Sequence, residues 1–367
     1  MVSGLEEVVA AETILSDVDG QAGRLIIRGQ SLDELVKHAT YESVLTLLWE
    51  GFFKKQPPAS EMPILLGTAR EEVFEHLAAA DTDILKQPTV DAVRALIARL
   101  PDADDIGSAL LLVAAPAVFT PGILRLQSKL APIAPNAKLG HAADMLRMLS
   151  GEAPTPEQAS ALDRYLVTVS DHGLNASTFA ARVVASTRAG LTSATLAAMS
   201  ALKGPLHGGA PGPVLDALDS IDSPAHASGW LQDALNRGER LMGFGHRVYR
   251  VRDPRADALK EAIKNLAQAG QVDATRLQLA ESVEAAALDL LARKKPNRPL
   301  QTNVEFYTAL LLEALGLPRE AFTCVFAAGR SGGWIAHARE QMLNGRLIRP
   351  QSRYVGPQPE PRRDAAA

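Results

Sequence analysis

Two histidines lie beside glycines, in segments where close approach of a ligand to the backbone is easy. His207 stands in the middle of GPLHGGA (204–210), and His246 follows the run MGFG (242–245). Glycine leaves room for a ligand, and histidine near neutral pH can donate a hydrogen bond or transfer a proton. We predict a catalytic or binding role for both, although a histidine that only caps a helix remains the alternative for His207. A dinucleotide-binding loop is disfavoured, because the third glycine and a preceding strand are missing.

Several arginines predict an anionic ligand, because a guanidinium group binds carboxylate or phosphate through two hydrogen bonds. Arg330 lies among small residues, and Arg349 precedes a proline in a stretch that must be extended. For Arg349, an ordinary surface charge remains open at this point. The other arginines follow His246 directly and are Arg247, Arg250, Arg252 and Arg255. For Arg247 and Arg252, a solvated basic face is the favoured interpretation.

One carboxylate stands in an otherwise apolar and aromatic run, NVEFY (303–307). Burial would raise the pKa of Glu305 and make it a stronger base. The alternative is that Glu305 begins a helix and serves only as a cap or a partner of the helix dipole.

Composition excludes some classes of site. The single cysteine, Cys324, rules out an internal disulfide and a cysteine-based zinc site, and we find neither metal-ligand spacing nor a P-loop. A formal charge of −4 over 367 residues gives no reason to expect nucleic acid or membrane as a partner. We expect residues 178–202 to be the most apolar stretch of the chain. Arg182 and Arg188 interrupt it, so we do not expect it to span a membrane. No basic segment followed by an apolar run precedes residue 20, and we expect a cytoplasmic protein.

The elements that must position these residues are mostly helices. Apolar residues recur at three- and four-residue spacing, for example between residues 106 and 114. Near the start, apolar runs flank the Asp-Gly turn at residues 19–20, which predicts a β-hairpin or small sheet. We predict an all-α protein with a minor N-terminal sheet and one small-residue helix over about 179–202. Loops are predicted at 204–213, 242–245 and 295–301, and an extended or disordered tail is predicted from residue 350.

Together these segments resemble the citrate synthase family, in its short bacterial and archaeal dimeric type. The resemblance runs in order through residues 4–10 and 17–20, SDHGLNAST (170–178), the three segments around His207, His246 and Glu305, and IRP (348–350). It implies a mainly α-helical two-domain fold. The large domain would comprise residues 1–207 and 317–367, and the small domain residues 208–316.

The resemblance also implies an activity: acetyl-CoA and oxaloacetate are joined, citryl-CoA is hydrolysed, and citrate and CoA leave, at the entry to the tricarboxylic acid cycle. His207 would bind the thioester oxygen, His246 would polarise the oxaloacetate ketone, and Glu305 would be the base where the family usually has aspartate. The residues implied in oxaloacetate binding are His172, His246, Arg255, Arg330 and, from the neighbouring subunit of a homodimer, Arg349. Those implied in CoA binding are Met242, Gly243, Phe244, Gly245 and Arg250. No metal or cofactor is implied, since acetyl-CoA is a substrate.

Two alternatives remain open. A 2-methylcitrate synthase would use propionyl-CoA with the same catalytic segments, because one methylene in an acyl pocket changes binding by only about 1–3 kcal/mol. A non-catalytic ligand-binding relative would carry Glu305 as a decayed base.

Overall fold

The computed structural model describes residues 4–5, 8–208, 211–296 and 300–358. Glu6 and Glu7 of the family-like N-terminal segment lie outside the described residues. So do Gly209 and Ala210 of the predicted 204–213 loop, residues 297–299 of the predicted 295–301 loop, and residues 359–367 of the predicted tail.

The predicted N-terminal sheet is confirmed. Strands β1 (Ser16–Asp19), β2 (Arg24–Ile27) and β3 (Gln30–Ser31) pair antiparallel in the order β1-β2-β3. In the first pair Ser16 faces Ile27 and Asp19 faces Arg24. The Asp19 carboxylate accepts the backbone N–H groups of residues 21 and 22, at 3.0 and 2.9 Å, which closes the turn.

The rest of the described chain is mainly helical, as the apolar spacing predicted. The first helices are α1 (Leu32–His38), α2 (Tyr41–Trp49), α3 (Met62–Glu75), α4 (Thr82–Leu85), α5 (Thr89–Ile97), α6 (Ile106–Gln127), α7 (His141–Ser150) and α8 (Pro156–Val169). They are followed by α9 (Ala176–Ala185), α10 (Leu191–Leu202), α11 (Pro211–Ile221), α12 (Ala227–Asn236), α13 (Pro254–Gln268), α14 (Ala274–Lys294), α15 (Val304–Ala314) and α16 (Phe322–Asn344). Short 3-10 helices occupy His76–Ala79, Pro224–His226 and Arg319–Ala321. Helices α11 to α15 fall inside the predicted small-domain limits, and the division itself remains a prediction.

The prediction of one helix over 179–202 is wrong. The segment forms α9 and α10, and the chain turns between them through Arg188 and Gly190, whose φ angles are +64° and +106°. The Asp102 carboxylate accepts the backbone N–H of Thr192 at 3.0 Å and so caps the start of α10. A partner 90 residues away in sequence therefore helps to fix this break.

The predicted loop at 204–213 ends earlier than predicted. Helix α11 already begins at Pro211, and Pro213 lies in its first turn. Proline is accepted there, because the first N–H groups of a helix have no partner within it.

Helix α6 is more apolar than the stretch 178–202, which corrects the expectation about the most apolar segment. By length and composition it is the one helix among the described residues that could cross a membrane, with a mean hydropathy of 1.8 over its most apolar window. However, 83% of that window is buried inside the protein, as in the core helix of a globular fold.

Helix α16 is the central element that carries Arg330 into the interior. It packs on α2, α6, α8, α9 and α10, and nearly every residue from Phe322 to Gln341 is buried. Glycines permit this close packing: a Cβ added at Gly333 would lie 2.3 Å from the carbonyl oxygen of Ser170. The segment after α8 is thereby held directly against α16.

Candidate active site

Six of the predicted side chains converge from separate parts of the chain. His172 lies between α8 and α9, His207 follows α10, and His246 precedes α13. The other three are Arg255 in the first turn of α13, Glu305 in the first turn of α15, and Arg330 in the middle of α16. The His172 and His246 rings are 5.6 Å apart, and Arg255 Nη2 lies 3.3 Å from His246 Nε2. Arg255 and Arg330 also both act on the pKa values of His172, His207 and Glu305, which places the six residues in one site.

The hydrogen bonds around His246 fix its tautomer. Its Nδ1 accepts the backbone N–H groups of Val248 and Tyr249, at 3.1 and 3.0 Å, so the proton of the neutral ring is on Nε2. Arg255 Nη2 lies 3.3 Å from this Nε2, but a guanidinium only donates, so the two face each other as donors without a hydrogen bond between them. Burial and, after it, the positive charge of Arg255 lower the pKa of His246 to about 4. At neutral pH this ring is therefore an uncharged donor through Nε2–H.

His172 lies against His246, with ring centroids 5.6 Å apart and planes at 84°. Its Nε2 is 3.2 Å from the hydroxyl of Tyr249. Burial, followed by the charges of Arg255 and Arg330, holds the pKa of His172 well below its ordinary value. This ring is also neutral, and Tyr249 contacts both histidines.

The hydroxyl of Ser177 supports His207. The His207 Nε2 is 2.9 Å from Ser177 Oγ, which accepts the indole N–H of Trp334 at 3.1 Å. The hydroxyl proton can therefore go to His207 Nε2 or to the side-chain oxygen of Asn175, 2.8 Å away. When it goes to His207, the ring carries its own proton on Nδ1. Burial, followed by Arg330 and Arg255, lowers the pKa of His207 to about 4.

Arg330 is buried with part of its hydrogen-bonding capacity unused. The side chain is 1% exposed, its Nε donates to the carbonyl of Val169, and its guanidinium lies 4.9 Å from the ring centroid of Phe326. Within the described ranges its Nη2 has no partner. Burial lowers the pKa of Arg330 to about 10, so it is still a cation at neutral pH. A buried cation with a free donor is suited to an anionic ligand.

Asp253 holds the second buried arginine in place. Its carboxylate accepts Arg255 Nε at 3.0 Å and Arg255 Nη2 at 2.8 Å. It also accepts the backbone N–H of Val304 at 3.2 Å, at the start of α15. One carboxylate therefore sets the distance between Arg255 and the helical turn that carries Glu305.

Glu305 is not the cap of its helix, although it lies in the first turn of α15, where a carboxylate also interacts favourably with the helix dipole. The side chain of Asn303 caps α15 by accepting the N–H of Glu305 at 3.1 Å. Among the parts of the chain that are described, no hydrogen bond or ion pair reaches the Glu305 carboxylate. Burial raises the pKa of Glu305 to about 7, although Arg255 and Arg330 oppose this rise. The group is thus a carboxyl that can exchange a proton near neutral pH.

The predicted CoA residues form a loop next to this cluster. Gly243 and Gly245 have φ angles of +86° and +83°, which favour glycine. The loop is tied to the segment before α15: Gly245 N–H donates to Gln301 at 2.7 Å, and Asn303 N–H donates to Gly243 at 3.0 Å. The other loop residues are Met242 and Phe244, and Arg250 is exposed.

Two arginines behave differently from the cluster. Arg252 is bound to Asp257 and to the buried carboxylate of Glu284, at 2.8 Å for the latter, so it is part of an ion-pair network and not a solvated face. Arg349 is exposed in the irregular segment after α16. Its neighbour Ile348 donates its N–H to Ser186 at 3.0 Å, so the tail runs past the end of α9.

Four supporting residues were not predicted from the sequence: Tyr249, Ser177, Trp334 and Asp253. Some signals were available in the sequence. Asp253 precedes a proline at the start of a helix, and Asn175 with Ser177 forms a helix cap. Nothing in the sequence indicated that Trp334 would reach Ser177.

The pKa of Glu305 predicts a pH dependence of stability. A carboxyl raised from about 4.3 in the unfolded chain to about 7 in the fold holds a proton that the unfolded chain releases. The contribution of Glu305 to the free energy of unfolding is fully present below about pH 4 and is lost as the pH rises through 7. Glu305→Gln, which cannot ionise, should therefore gain stability relative to the wild type between pH 5 and 8. Denaturant unfolding across this range measures the difference, and parallel curves for the two proteins would contradict the assignment.

Comparisons with known proteins agree on one family. The family model described as the citrate synthase C-terminal domain matches residues 4–351. A citrate synthase of Haloferax volcanii is 36% identical over 373 residues, covering 96% of this chain and 95% of that one. A 2-methylcitrate synthase of Mycobacterium tuberculosis is 35% identical over 368 residues, covering 96% and 90%.

A solved structure extends the agreement to the fold. It is a ternary complex of carboxymethyl coenzyme A and oxaloacetate with the citrate synthase of Thermoplasma acidophilum, 27% identical, with a TM-score of 0.84. The alignment covers 98% of this chain and 97% of that one. By sequence over nearly its whole length and by fold, the chain belongs to the citrate synthase family of acyltransferases.

Proposed function

We propose that this protein condenses acetyl-CoA with oxaloacetate and hydrolyses the resulting citryl-CoA to citrate and CoA. The observation that carries the proposal is the unused Nη2 of buried Arg330, in a cluster that also holds neutral histidines and a carboxyl with a pKa of about 7. Oxaloacetate is a dianion with a ketone, so it needs both cations and a neutral hydrogen-bond donor. Arg255 and Arg330 supply the cations, and the Nε2–H of His246 supplies the neutral donor.

The first step is removal of a proton from the acetyl methyl group. The Glu305 carboxylate takes this proton, and its raised pKa makes it a stronger base than an ordinary glutamate. His207 donates its Nδ1–H to the thioester oxygen, where negative charge develops. For this, the Ser177 hydroxyl must donate to His207 Nε2, which the 2.9 Å separation allows.

The second step forms the carbon–carbon bond. The enol carbon attacks the ketone carbon of oxaloacetate, and the ketone oxygen takes the proton from His246 Nε2. Water then attacks the thioester carbonyl of citryl-CoA and returns a proton to His246 Nε2. The carbon–sulfur bond breaks, CoA leaves as the thiol with the proton that Glu305 took from the methyl group, and the new carboxyl group releases the second proton of the water to solvent. No step requires a metal or a redox cofactor. Early hydrolysis of acetyl-CoA is avoided when the site is completed only after oxaloacetate has bound.

We propose further that CoA lies along the 242–245 loop with Arg250 at its phosphates, and that the protein acts as a cytoplasmic homodimer. Support for the CoA position is the hydrogen bonding of this loop to the segment that leads to Glu305.

Support for the homodimer is the exposed Arg349 in the segment after α16, together with half-buried apolar residues such as Phe179 and Val183 on α9. A single buried thiol, Cys324, is in keeping with a reducing compartment.

The second candidate is a 2-methylcitrate synthase that uses propionyl-CoA. The two relatives with these different names are 36% and 35% identical to this chain, so similarity alone does not choose between them. Steady-state CoA release with acetyl-CoA and with propionyl-CoA, both with saturating oxaloacetate, measures the preference. We expect a higher kcat/KM for acetyl-CoA. A higher value for propionyl-CoA would favour the second candidate, and no CoA release from either would favour a non-catalytic relative.

The role of Glu305 as the base predicts the effect of its removal. Glu305→Gln should lower kcat by at least ~10²-fold, because general base catalysis is lost, while oxaloacetate still binds. In the wild type kcat/KM should rise with pH through about 7, the pKa of Glu305. Glu305→Asp is the matched control. If the backbone at this site is positioned for glutamate, the variant should have a lower kcat than the wild type, although aspartate is the usual residue of the family. Wild-type turnover in Glu305→Gln would contradict the role.

The proposed dimer predicts complementation between two inactive variants. If Arg349 acts in the site of the neighbouring subunit, mixing Arg349→Ala with Glu305→Gln chains should restore activity. The level should approach about a quarter of wild type, since half of the randomly paired dimers are mixed and each has one complete site of two. Subunit exchange must be confirmed separately, for example with tagged chains. Absence of recovery after confirmed exchange would place Arg349 in the site of its own chain.

A further inference from the structure

The turn between β1 and β2 contacts the loop that carries His246. The carbonyl oxygen of Gly20 accepts the backbone N–H of Arg250 at 2.8 Å. A Cβ added at Gly20 would lie only 2.3 Å from the carbonyl oxygen of Val248. The φ angle of Gly20 is not in the left-handed region, so the close approach alone requires glycine here.

The same hairpin also contacts the segment that carries His172. The backbone N–H of Gly173 donates to Ser16 Oγ at 2.9 Å, and a Cβ added at Gly173 would lie 3.3 Å from Val18 Cγ2. Burial acts to raise the pKa of Asp171, but His337, Arg330 and the Ser16 hydroxyl together hold it below its ordinary value. Ser16 therefore lies beside the residues on both sides of His172.

The hairpin thus joins two segments that are distant in sequence and carry two of the substrate-binding histidines. The His172 segment lies in the predicted large domain and the His246 loop in the predicted small domain. The contact continues along the turn, since a Cβ added at Gly23 would lie 2.8 Å from Val251 Cγ2 and 3.2 Å from the carbonyl oxygen of Arg252. Beside it lies an open cavity of about 460 Å³, lined by residues 17–21, Val248 and Arg250.

We propose that the β1–β2 hairpin is a latch in which Ser16 and Gly20 are positioning residues: it holds the His172 segment and the His246 loop together in the substrate-binding arrangement. This inference rests on the proposed function, in that oxaloacetate is the ligand that the two histidines share. Neither residue touches the reacting atoms. Their effect is on how often the two segments are correctly placed, and so on oxaloacetate binding more than on the chemical step.

The test weakens each side of the latch separately. Gly20→Ala should raise the Kd and KM for oxaloacetate by about 10-fold while kcat at saturation changes less than about 2-fold. Ser16→Ala should raise the Kd and the KM for oxaloacetate by about 3- to 5-fold. Ser16→Thr keeps the hydroxyl and should have the wild-type Kd and KM. The matched control is Gly229→Ala in α12, where an added Cβ meets no atom within 4 Å, and it should behave as wild type. Calorimetry gives the Kd and steady-state CoA release gives the KM and kcat.

Hydrogen exchange tests the latch without reference to activity. The backbone amides of Gly173 and Arg250 should exchange faster in Ser16→Ala and Gly20→Ala, respectively. Ser16→Ala removes the hydroxyl that accepts the Gly173 N–H, whereas the added Cβ of Gly20→Ala meets the Val248 carbonyl and pushes the carbonyl of residue 20 away from the Arg250 N–H. Unchanged exchange and unchanged oxaloacetate Kd in both variants would overturn the latch. If Gly20→Ala does not fold, the latch is tested by the oxaloacetate Kd and the Gly173 exchange rate of Ser16→Ala and Ser16→Thr. A wild-type protein that neither binds oxaloacetate nor releases CoA would overturn the proposed function instead, while faster exchange in the variants would still establish the contact.

Discussion

The site depends on two guanidinium groups that are buried close to ionisable side chains. Arg255 is 3% exposed and Arg330 is 1% exposed, and only Arg255 is paired directly with a carboxylate. Burying an unpaired cation costs several kcal/mol, so the fold must be stable enough to tolerate Arg330. The two positive charges add to burial in keeping the histidines neutral, and they keep the raised pKa of Glu305 near 7. The protonation states needed for acid–base chemistry therefore follow from where the arginines lie.

The scaffold holds these charges by short connections to the backbone. Asp253 binds Arg255 and the first turn of α15, so the cation and Glu305 move as one unit. Glycines in α16 let the segment before His172 lie directly on the helix that carries Arg330. The hairpin then joins that segment to the His246 loop. Geometry at the site is consequently determined by elements from the first 31 residues to the last helix, which explains why the family resemblance extends over nearly the whole chain.

Much of this arrangement was predictable from the sequence, because glycine-framed histidines, an isolated carboxylate and arginines among small residues have few structural uses. The helical class and the N-terminal sheet followed from the spacing of apolar residues and the Asp-Gly turn. What the sequence did not reveal were partners distant along the chain. The break between α9 and α10 depends on Asp102, and the support of His207 depends on Trp334, and no local pattern records either contact. Helix α6 is more apolar than residues 178–202 because it is rich in large aliphatic residues, whereas that stretch holds many small residues and two arginines.

We propose that Arg330 is kept buried and incompletely paired in order to bind a carboxylate of oxaloacetate. Replacing it with methionine separates its role in binding from its role in the fold. Removal of an unpaired buried cation should leave the free protein at least as stable as the wild type, since apolar replacements of buried charges are often neutral or stabilising. Oxaloacetate at a hundred times its wild-type Kd should stabilise the wild type by about 2.7 kcal/mol. We expect this gain, measured by denaturant unfolding with and without oxaloacetate, to be lost in Arg330→Met. An undiminished gain in Arg330→Met would show that Arg330 does not bind oxaloacetate.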